Sequence, residues 1–343
     1  MVSSKDVAKK AGVSQTTVSR VLNTPELVKK PTVDKVMRAI EELNYIPNAN
    51  ARSLVQNKTR TIALLSGPIH NPFFVDTTTA IVNYANEMGY RVHVQYVSDD
   101  RLQEAYTSIF ENKVDGVILS CIFLDDPIFF KLKQLNIPFI TYNRKHKNNE
   151  FFVEIDNFYA GYLSAQHLLE LGHTAISWIG GPQNRSTFKE RYAGFVKALE
   201  DYNIARNDDF IFTTDTSKQS IQDIFQHITS LDKQPTGICA ATDSIALHLL
   251  DCFINKNLKV PEDISIIGID NVDLSKHGLI QLTTVGSILE ENLGFLAIKE
   301  LFEMIENKKI VVFVLLNLLK CSIGAQLVFQ NKLFDSLFLF ILK

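Results

Sequence analysis

Two consecutive series of short apolar segments constrain the fold of this chain more than any other feature. The first series reads TIALLSG, YRVHVQYV, GVILSC, PFITYN and FVEID, and the second reads TAISWIG, FIFTTD, GICAA and ISIIGID. Helix-like stretches separate these segments and begin near Phe73, Leu102, Pro127, Asn157, Lys189, Ser217 and Ser244. Strands that are apolar without interruption are typical of parallel sheets covered by helices on both faces. We therefore predict an α/β body of two doubly wound parallel-sheet subdomains.

The loops at the carboxyl ends of parallel strands are the usual place where such subdomains bind ligands. Two subdomains in one chain therefore predict a ligand-binding cleft between the two sheets. The chain has 343 residues, which is too long for one ordinary core and leaves room for a small domain before the first strand.

The charge of the chain is distributed unevenly. Residues 1–60 carry eleven Lys and Arg against five Asp and Glu, a net charge of +6, whereas the remainder carries −9. A small basic module on an acidic body suggests that the module contacts a polyanion. Charge alone would also fit a solvated basic face, so the interpretation depends on the local sequence.

Composition and spacing disfavour several classes of protein. No apolar run approaches the roughly 18 residues of a membrane helix, and the N-terminal MVSSKDVAKK has charges where a secretory signal has its apolar core. We expect a cytoplasmic protein without a membrane partner. The cysteines lie far apart and without metal-ligand spacing, which predicts free thiols and neither a metal site nor a cofactor: Cys121, Cys239, Cys252 and Cys321.

Two short helices separated by a glycine open the chain. Ser3 and Asp6 have the spacing of a capping box, and Gly12 would end the first helix. Ser14 can cap the second helix, which has one apolar and one polar face. The apolar face consists of Val18, Val21 and Leu22, and the polar face of Gln15, Thr16, Ser19, Arg20 and Asn23.

A third helix would close the core under this pair. Thr32 is its predicted cap, and its apolar positions at three- and four-residue spacing are Val33, Val36, Met37, Ile40 and Leu43. Three short helices with a polar second helix are the helix-turn-helix design, in which that helix enters the major groove of DNA. The outward side chains can bond base edges or phosphates. As a bare pattern, the same side chains would also fit a solvated helix face.

The segments VSSKDVAKKAGVSQTTVSRVLN and PTVDKVMRAIEELNYIPNANARSLVQNKTRTIAL resemble the start of the LacI/GalR family of bacterial transcription repressors. Family-like segments recur to about Lys309, among them HNPFF, NEMGYRVHV, VDGVILS, RYAGFVKAL and VPEDISIIGIDN. The resemblance implies base contacts from Gln15, Thr16 and Arg20. It implies phosphate contacts from Ser14, Thr17, Ser19, Asn23 and Tyr45.

The family also has a short hinge helix that forms on DNA and enters the minor groove. The resemblance places this helix in residues 48–54, with Asn48 and Ala51 on it and Leu54 as an apolar wedge between base steps. Unstacking the bases costs a few kcal/mol, which the added contacts on the bent duplex offset. Alternatively, Leu54 packs onto the body.

The body resembles the periplasmic-binding-protein-like core of the same family, whose chain crosses back to the first subdomain near Leu282–Ser287. The expected divisions are 1–46 (helix-turn-helix), 47–59 (hinge and linker), 60–155 with 284–309 (first subdomain), 156–283 (second subdomain) and 310–343 (tail). The resemblance implies effector contacts from Phe73, Phe74, Asn143, Asp156, Arg185, Thr187, Arg191, Thr242 and Asp270. Phe74 would equally suit the core, and one of the two arginines would suit a structural ion pair.

Two segments depart from the family pattern. Asp215 and Thr216 stand where many members place an aromatic side chain against the ligand. From Ile310 the tail is almost wholly Leu, Ile, Val and Phe, and its longest apolar run, IVVFVLL, is too short for a membrane helix. A shift of reading frame near Lys309 would leave a foreign tail in place of the last strands of the first subdomain. The alternative is a divergent but packed C-terminal helix and strand.

We therefore expect a non-enzymatic repressor that binds a palindromic operator on double-stranded DNA as a homodimer and responds to a small carbohydrate. The sequence resembles maltose-operon regulators of Gram-positive bacteria, which makes maltose or a related sugar the expected effector. A catabolite-control regulator that answers to a phosphorylated partner protein is the nearest alternative. Two other classes are disfavoured. A sugar-acting enzyme would use Asp243 or Asp270 as acid or base, but the sequence contains no recognisable catalytic motif. A solute-binding protein for a transporter would need an export signal.

Overall fold

The structure, a computed structural model, describes residues 2–46, 58–97, 101–306, 313–316 and 319–322. The chain divides into two compact units, residues 1–60 and 61–343. No helix within the described ranges is long and apolar enough to cross a membrane.

Three helices form the first unit: α1 (Ser4–Ala11), α2 (Gln15–Asn23) and α3 (Lys30–Glu42). A 3₁₀ turn, Pro25–Leu27, lies between α2 and α3. The helices enclose a small core of Val7, Ala8, Val18, Val21, Val36 and Ala39. The predicted three-helix fold of this unit is therefore confirmed.

Local hydrogen bonds explain where α1 and α2 begin. The Asp6 carboxylate accepts from the backbone N–H of Ser3 at 2.9 Å and from the Ser3 hydroxyl at 2.7 Å. Gly12 ends α1 in the left-handed conformation, with φ of 67°. The Ser14 hydroxyl then accepts from the N–H of Thr17 at 3.1 Å and caps α2.

The start of α3 differs from the prediction. The helix begins at Lys30, and Lys29 rather than Thr32 occupies the cap position. Pro31 lies in the first turn, where its fixed φ suits a helix and its missing N–H leaves no donor to satisfy. Met37, which we expected in the core, is 43% exposed, and Val36 is the neighbour that points inward.

The first sheet of the second unit consists of β1 (Thr61–Ser66), β2 (Arg91–Tyr96), β3 (Gly116–Leu119), β4 (Phe139–Tyr142), β5 (Phe152–Ile155) and β11 (Phe313–Leu316). The strands pair in parallel in the order β11-β5-β4-β3-β1-β2. This half of the unit includes α4 (Pro72–Glu87), α5 (Leu102–Glu111), α6 (Ile128–Gln134) and α11 (Leu293–Ile305).

The second sheet consists of β6 (Ile176–Gly180), β7 (Ile211–Thr213), β8 (Gly237–Ala240), β9 (Ser265–Ile269), β10 (Thr283–Ser287) and β12 (Leu319–Ser322). Its order is β12-β10-β9-β8-β6-β7, and β12 alone among these strands runs antiparallel to its neighbour. This half includes α7 (Asn157–Glu170), α8 (Ser186–Asp201), α9 (Lys218–Ser230) and α10 (Asp243–Asn255). The two-subdomain α/β prediction is therefore confirmed.

The point at which the chain returns to the first half differs from the expected boundary at residue 284. Thr283–Ser287 form β10, whose residues pair in register with β9 of the second sheet. The crossing therefore follows Ser287, and α11 is the first element back in the first half, where it packs on α4. Which sheet a strand joins depends on tertiary contacts that its own sequence does not encode.

The tail also differs from what we expected of its first residues. Phe313–Leu316 pair in parallel with Phe152–Ile155, so the first sheet does gain a further strand from this segment. Leu319–Ser322 pair antiparallel with Thr284–Ser287 of the second sheet. A shift of reading frame stays a hypothesis, and residues 323–343 lie outside the described part of the chain.

Helices α7 and α8 cross at unusually short range because glycines lie at the crossing. A side-chain carbon added at Gly161 would overlap the backbone carbonyl of Arg191, and one added at Gly194 would overlap the carbonyl of Phe158. This close packing fixes the backbone of Arg191 against the start of α7.

Candidate functional site

Helix α2 presents the predicted base-reading residues on its exposed side. Gln15, Thr16 and Arg20 are exposed, whereas Val18 on the opposite side is fully buried. Thr16 and Arg20 are one helical turn apart and therefore lie on one face. The Gln15 amide donates to the Ser4 hydroxyl at 2.9 Å, which connects this side chain to α1.

The predicted phosphate-binding residues lie around the same helix. The hydroxyls of Ser14 and Thr17 are 2.8 Å apart at its start, where the unpaired N–H groups and the helix dipole favour an anion. The Asn23 amide donates to the Ser19 hydroxyl at 3.2 Å, and Tyr45 packs half-buried on the helical core. The predicted hinge residues lie outside the described part of the chain: Asn48, Ala51 and Leu54.

A cavity of about 370 Å³ lies in the second unit, at the carboxyl ends of both sheets. This volume is in the range of small-molecule sites. Eight of the nine predicted effector residues line it: Phe73, Phe74, Asn143, Arg185, Thr187, Arg191, Thr242 and Asp270.

The first half supplies the aromatic wall of the cavity. The rings of Phe73 and Phe74 are 5.2 Å apart in an edge-to-face arrangement with an interplanar angle of 80°. The Asn71 side chain accepts from the N–H of Phe73 at 3.0 Å and so starts α4 at this point. Phe74 is 4% exposed and packs so tightly on Gly67 that an added side-chain carbon there would overlap its ring. Phe74 is therefore both a core residue and part of the wall.

The second half supplies a buried ion pair. Arg191 Nη2 lies 2.9 Å from Asp270 Oδ1, and both side chains are almost fully buried. Arg191 Nε donates to Asn157 Oδ1 at 2.9 Å, and Nη1 donates to the carbonyl of Ala241 at 2.6 Å. A buried guanidinium requires such partners for its donors. The structural ion pair that we considered for one of the arginines therefore exists at Arg191.

A second carboxyl group lies beside this pair. The oxygens of the buried Asp243 accept from the Thr284 hydroxyl at 2.5 Å and from the N–H of Val272 at 3.0 Å. Burial and the neighbouring Asp270 together raise the pKa of Asp243 to about 7. Burial also raises the pKa of Asp270, while Arg191 opposes the rise. The charge of Asp270 therefore disfavours ionisation of Asp243 beside it.

Arg185 and Thr187 add further polar groups to the cavity. The guanidinium carbon of Arg185 is 5.9 Å from the centre of the Phe188 ring. Burial lowers the pKa of Arg185, and the nearby Asp215 carboxylate opposes that shift. The Thr187 hydroxyl donates to the carbonyl oxygen of Asn143, a bond that joins the two halves of the unit.

Two of the predicted effector residues are helix caps. The Thr242 hydroxyl accepts from the N–H of Ile245 at 3.2 Å and begins α10, and Thr242 still lines the cavity. Asp156 Oδ1 accepts from the N–H of Tyr159 at 2.8 Å and begins α7, but Asp156 is not among the residues that line the cavity. Asp156 therefore lies apart from the other predicted effector residues, and its contact with an effector stays a prediction.

Sequence reasoning missed several lining residues, including His70 and the buried Arg144. Asp215 and Thr216, which we noted only as a departure from the family pattern, also line the cavity. This side therefore presents a carboxylate and a hydroxyl where a ring would otherwise stand. The positions of two of these residues could have identified them as lining residues, because Arg144 lies just after the end of β4 and Asp215 just after the end of β7.

Comparison with known proteins agrees with this two-part architecture. Residues 4–48 match the model of bacterial regulatory proteins of the lacI family, and residues 165–316 match that of a periplasmic binding protein-like domain. The HTH-type transcriptional repressor PurR of Aliivibrio salmonicida is 36% identical over 312 residues, which cover 90% of this chain and 93% of that protein.

Two solved structures are similar over almost the whole chain. The lac repressor dimer bound to operator and the anti-inducer ONPF has a TM-score of 0.79 at 26% identity and covers 94% of this chain and 98% of its own. The transcriptional regulator CelR–cellobiose complex has a TM-score of 0.69 at 25% identity, and the match covers 95% of this chain and 100% of the CelR chain. The chain therefore belongs to the lacI family of bacterial regulatory proteins, as a transcriptional repressor that combines a helix-turn-helix DNA-binding domain with a periplasmic-binding-protein-like ligand domain.

Proposed function

We propose that the protein binds a palindromic operator as a homodimer and places α2 of each chain in the major groove. The observation that carries this proposal is the exposed face of α2, with Gln15, Thr16 and Arg20 outward and Val18 in the core. Arg can pair with the O6 and N7 of guanine, and Gln with the N6 and N7 of adenine. The similar lac repressor binds its operator as a dimer, which supports the same arrangement here.

The phosphate contacts in this proposal come from the rim of α2 and from the residue after α3. These residues would fix the register of the helix on the duplex: Ser14, Thr17, Ser19, Asn23 and Tyr45. The hinge helix, residues 48–54, would enter the minor groove, with Asn48 and Ala51 on the helix and Leu54 as the wedge. Paired wedges from two chains would bend the operator at its centre.

The proposed effector is a small hydroxyl-rich ligand, a carbohydrate, in the cavity of about 370 Å³. An aromatic wall at Phe73 suits the apolar face of a sugar ring, and Arg185, Asn143 and Thr242 on other sides suit its hydroxyls. The N–H groups of Arg191 and the carboxylate oxygen of Asp270 that are not used within the protein would form hydrogen bonds with the same ligand. The similar regulator CelR forms a complex with cellobiose. The relatives named above give no support to maltose in particular.

Control of DNA binding would follow from closure of the cleft around this ligand. A ligand that contacts both sheets binds the closed arrangement better and shifts the population toward it. The two bodies of the dimer would then hold their DNA-binding units at a different spacing. The coupling free energy between effector binding and DNA binding in such a system is typically about 1–3 kcal/mol. We assign no catalytic role to Asp243 or Asp270, because both carboxyls are committed to hydrogen bonds with the protein.

Selection of DNA by the full-length protein from a pool of random duplexes tests the proposal. We expect enrichment of an inverted repeat whose half-sites are spaced by about one helical turn. Enrichment of no common sequence by a folded protein would contradict it. A panel of mono- and disaccharides, scored by the rise in Tm and by release or retention of the selected duplex, then identifies the effector.

A further inference from the structure

A chain of buried polar contacts leads from the cavity to the first crossover between the two halves. Asn157 is the first residue of α7, only two residues after the end of β5, and it is 1% exposed. Its Oδ1 accepts from Arg191 Nε at 2.9 Å. Its Nδ2 donates to Oε2 of Glu154, a fully buried carboxylate of β5, at 3.1 Å. One amide thus connects the ion pair of the cavity to the strand that enters the crossover.

The contacts continue beyond Glu154 and return to the second half. Lys145 Nζ, from the loop between β4 and β5, lies 2.5 Å from Glu154 Oε1 and 2.8 Å from Oε1 of Glu190 in α8. The backbone N–H of Lys145 also donates to the Ser186 hydroxyl, at the start of α8, at 2.9 Å. Both sides of the first crossover are therefore bound into one polar network.

The packing of α7 on α8 leaves this network little freedom. Because Gly161 admits the backbone of Arg191 at close range, the two helices move together. A buried donor or acceptor that loses its partner costs about 1–3 kcal/mol. A displacement of the Arg191 side chain by a ligand therefore has to be followed by Asn157, and Asn157 can keep its second bond only if Glu154 and β5 follow.

We propose that Asn157 is a positioning residue that sets the angle between the two halves according to the state of the Arg191–Asp270 pair. The inference rests on the proposed function, in which the cavity holds the effector. Asn157 does not line the cavity itself. The role requires an acceptor toward Arg191 and a donor toward Glu154 on one short side chain, and asparagine has both.

Variants that reverse the direction of the hydrogen bond between Asn157 and Glu154 test this positioning role. Asn157→Asp keeps the shape and the acceptor for Arg191 but sets a second carboxylate against Glu154. Adding Glu154→Gln restores a hydrogen bond in the opposite direction, because the glutamine amide can donate to the aspartate while its carbonyl accepts from Lys145. The double variant also restores the net charge of the wild-type network. Asn83→Asp, at an exposed position on α4, is the matched control.

The measurement is the distance between two spin labels by double electron–electron resonance on the full-length chain. Glu87→Cys at the end of α4 and Lys256→Cys after α10 carry the labels, one on each half, and both positions are exposed. The half-buried Cys252 and Cys321 are replaced by Ser, and labelled chains are diluted with unlabelled ones. We expect Asn157→Asp to broaden the distribution and displace its mean, and we expect the double variant and Asn83→Asp to match the wild type.

A folded Asn157→Asp protein with the wild-type distribution would overturn the inference, as would a double variant displaced as far as the single one. If Asn157→Asp does not fold, Glu154→Gln alone tests the inference. The glutamine NH2 group must face one of the two donors, the Asn157 amide or the Lys145 ammonium, and one hydrogen bond is lost. We therefore expect this variant also to displace the mean distance between the labels. An undisplaced mean in that variant would overturn the inference too. The measurement needs no sugar and no DNA, so its failure is distinct from a failure of the proposed effector site.

Discussion

At the scale of single residues, the cavity is lined by side chains from the loops and helix starts that follow the strands of both sheets. Eight of the nine expected cavity residues line the cavity because strand ends converge there. Asp156 is the exception: it follows a strand but also precedes α7, and its carboxylate accepts from the N–H of Tyr159 at the start of that helix. The pairing of Arg191 with Asp270 joins residues far apart in sequence, and spacing alone could not have predicted it.

Arg20 on α2 is the residue with the sharpest expected effect on DNA recognition. Arg20→Ala should relax base preference at one position of each half-site and reduce discrimination there by about 1–3 kcal/mol. Arg38→Ala, which removes the same charge from an exposed site on α3, serves as the control and should not alter base preference. Competition binding against single-base variants of the selected operator measures both. Equal weakening of Arg20→Ala on every duplex would identify Arg20 as a phosphate contact instead.

Asp243 makes a prediction about pH. A carboxyl whose pKa is raised to about 7 in the folded protein holds its proton there longer than in the unfolded chain, whose value is near 3.8. The folded state therefore binds more protons, and this group lowers the free energy of unfolding as pH rises from about 4 to about 7. Asp243→Asn, which resembles the protonated form, removes this contribution.

Urea denaturation across that pH range compares the two proteins. The wild type should lose stability relative to Asp243→Asn as pH rises, with the change complete slightly above neutral pH. A difference between the two proteins that is constant from pH 4 to 8 would show that Asp243 is ionised throughout.

At the scale of helices and strands, apolar continuity predicted the nine strands of the two series and the starts of the helices between them. Seven of those strands are buried at almost every residue, so their sequence carries the signal directly, whereas the edge strands β2 and β7 are partly exposed. The prediction was weaker where tertiary contacts decide. The sequence of Thr283–Ser287 would suit a strand in either sheet, and only its pairing with β9 assigns it to the second. The start of α3 is set by Pro31 and not by a side-chain cap.

The crossing of α7 and α8 makes a prediction at this scale. Gly161→Ala should destabilise the second unit by about 1–3 kcal/mol, because the added methyl overlaps the carbonyl of Arg191 and the helices must separate. Gly278→Ala is the control, since nothing lies within 4 Å of a side-chain carbon built there. The urea midpoint of each variant measures the effect. Similar midpoints for the two variants would contradict the close crossing.

At the scale of the whole molecule, the sequence predicted two functions in one chain from its charge distribution and its resemblance to a family. The basic first sixty residues and the acidic remainder correspond to the two compact units. The sequence could not supply the contacts that cross the cleft, such as the bond from Thr187 of α8 to Asn143 after β4, because each joins segments of different halves. It also led us to maltose, which rests on resemblance and has no support from the relatives described here.

The most direct test of the account is the affinity of the full-length protein for the selected inverted repeat and for a scrambled duplex of the same composition. Fluorescence anisotropy near 150 mM salt, with and without the sugar that raises Tm most, measures both. We predict a preference for the repeat of about a thousandfold or more, with the sugar changing affinity for the repeat by about 5- to 150-fold. Equal affinity for the two duplexes, from a folded and dimeric protein, would contradict the claim that the three-helix unit reads operator DNA.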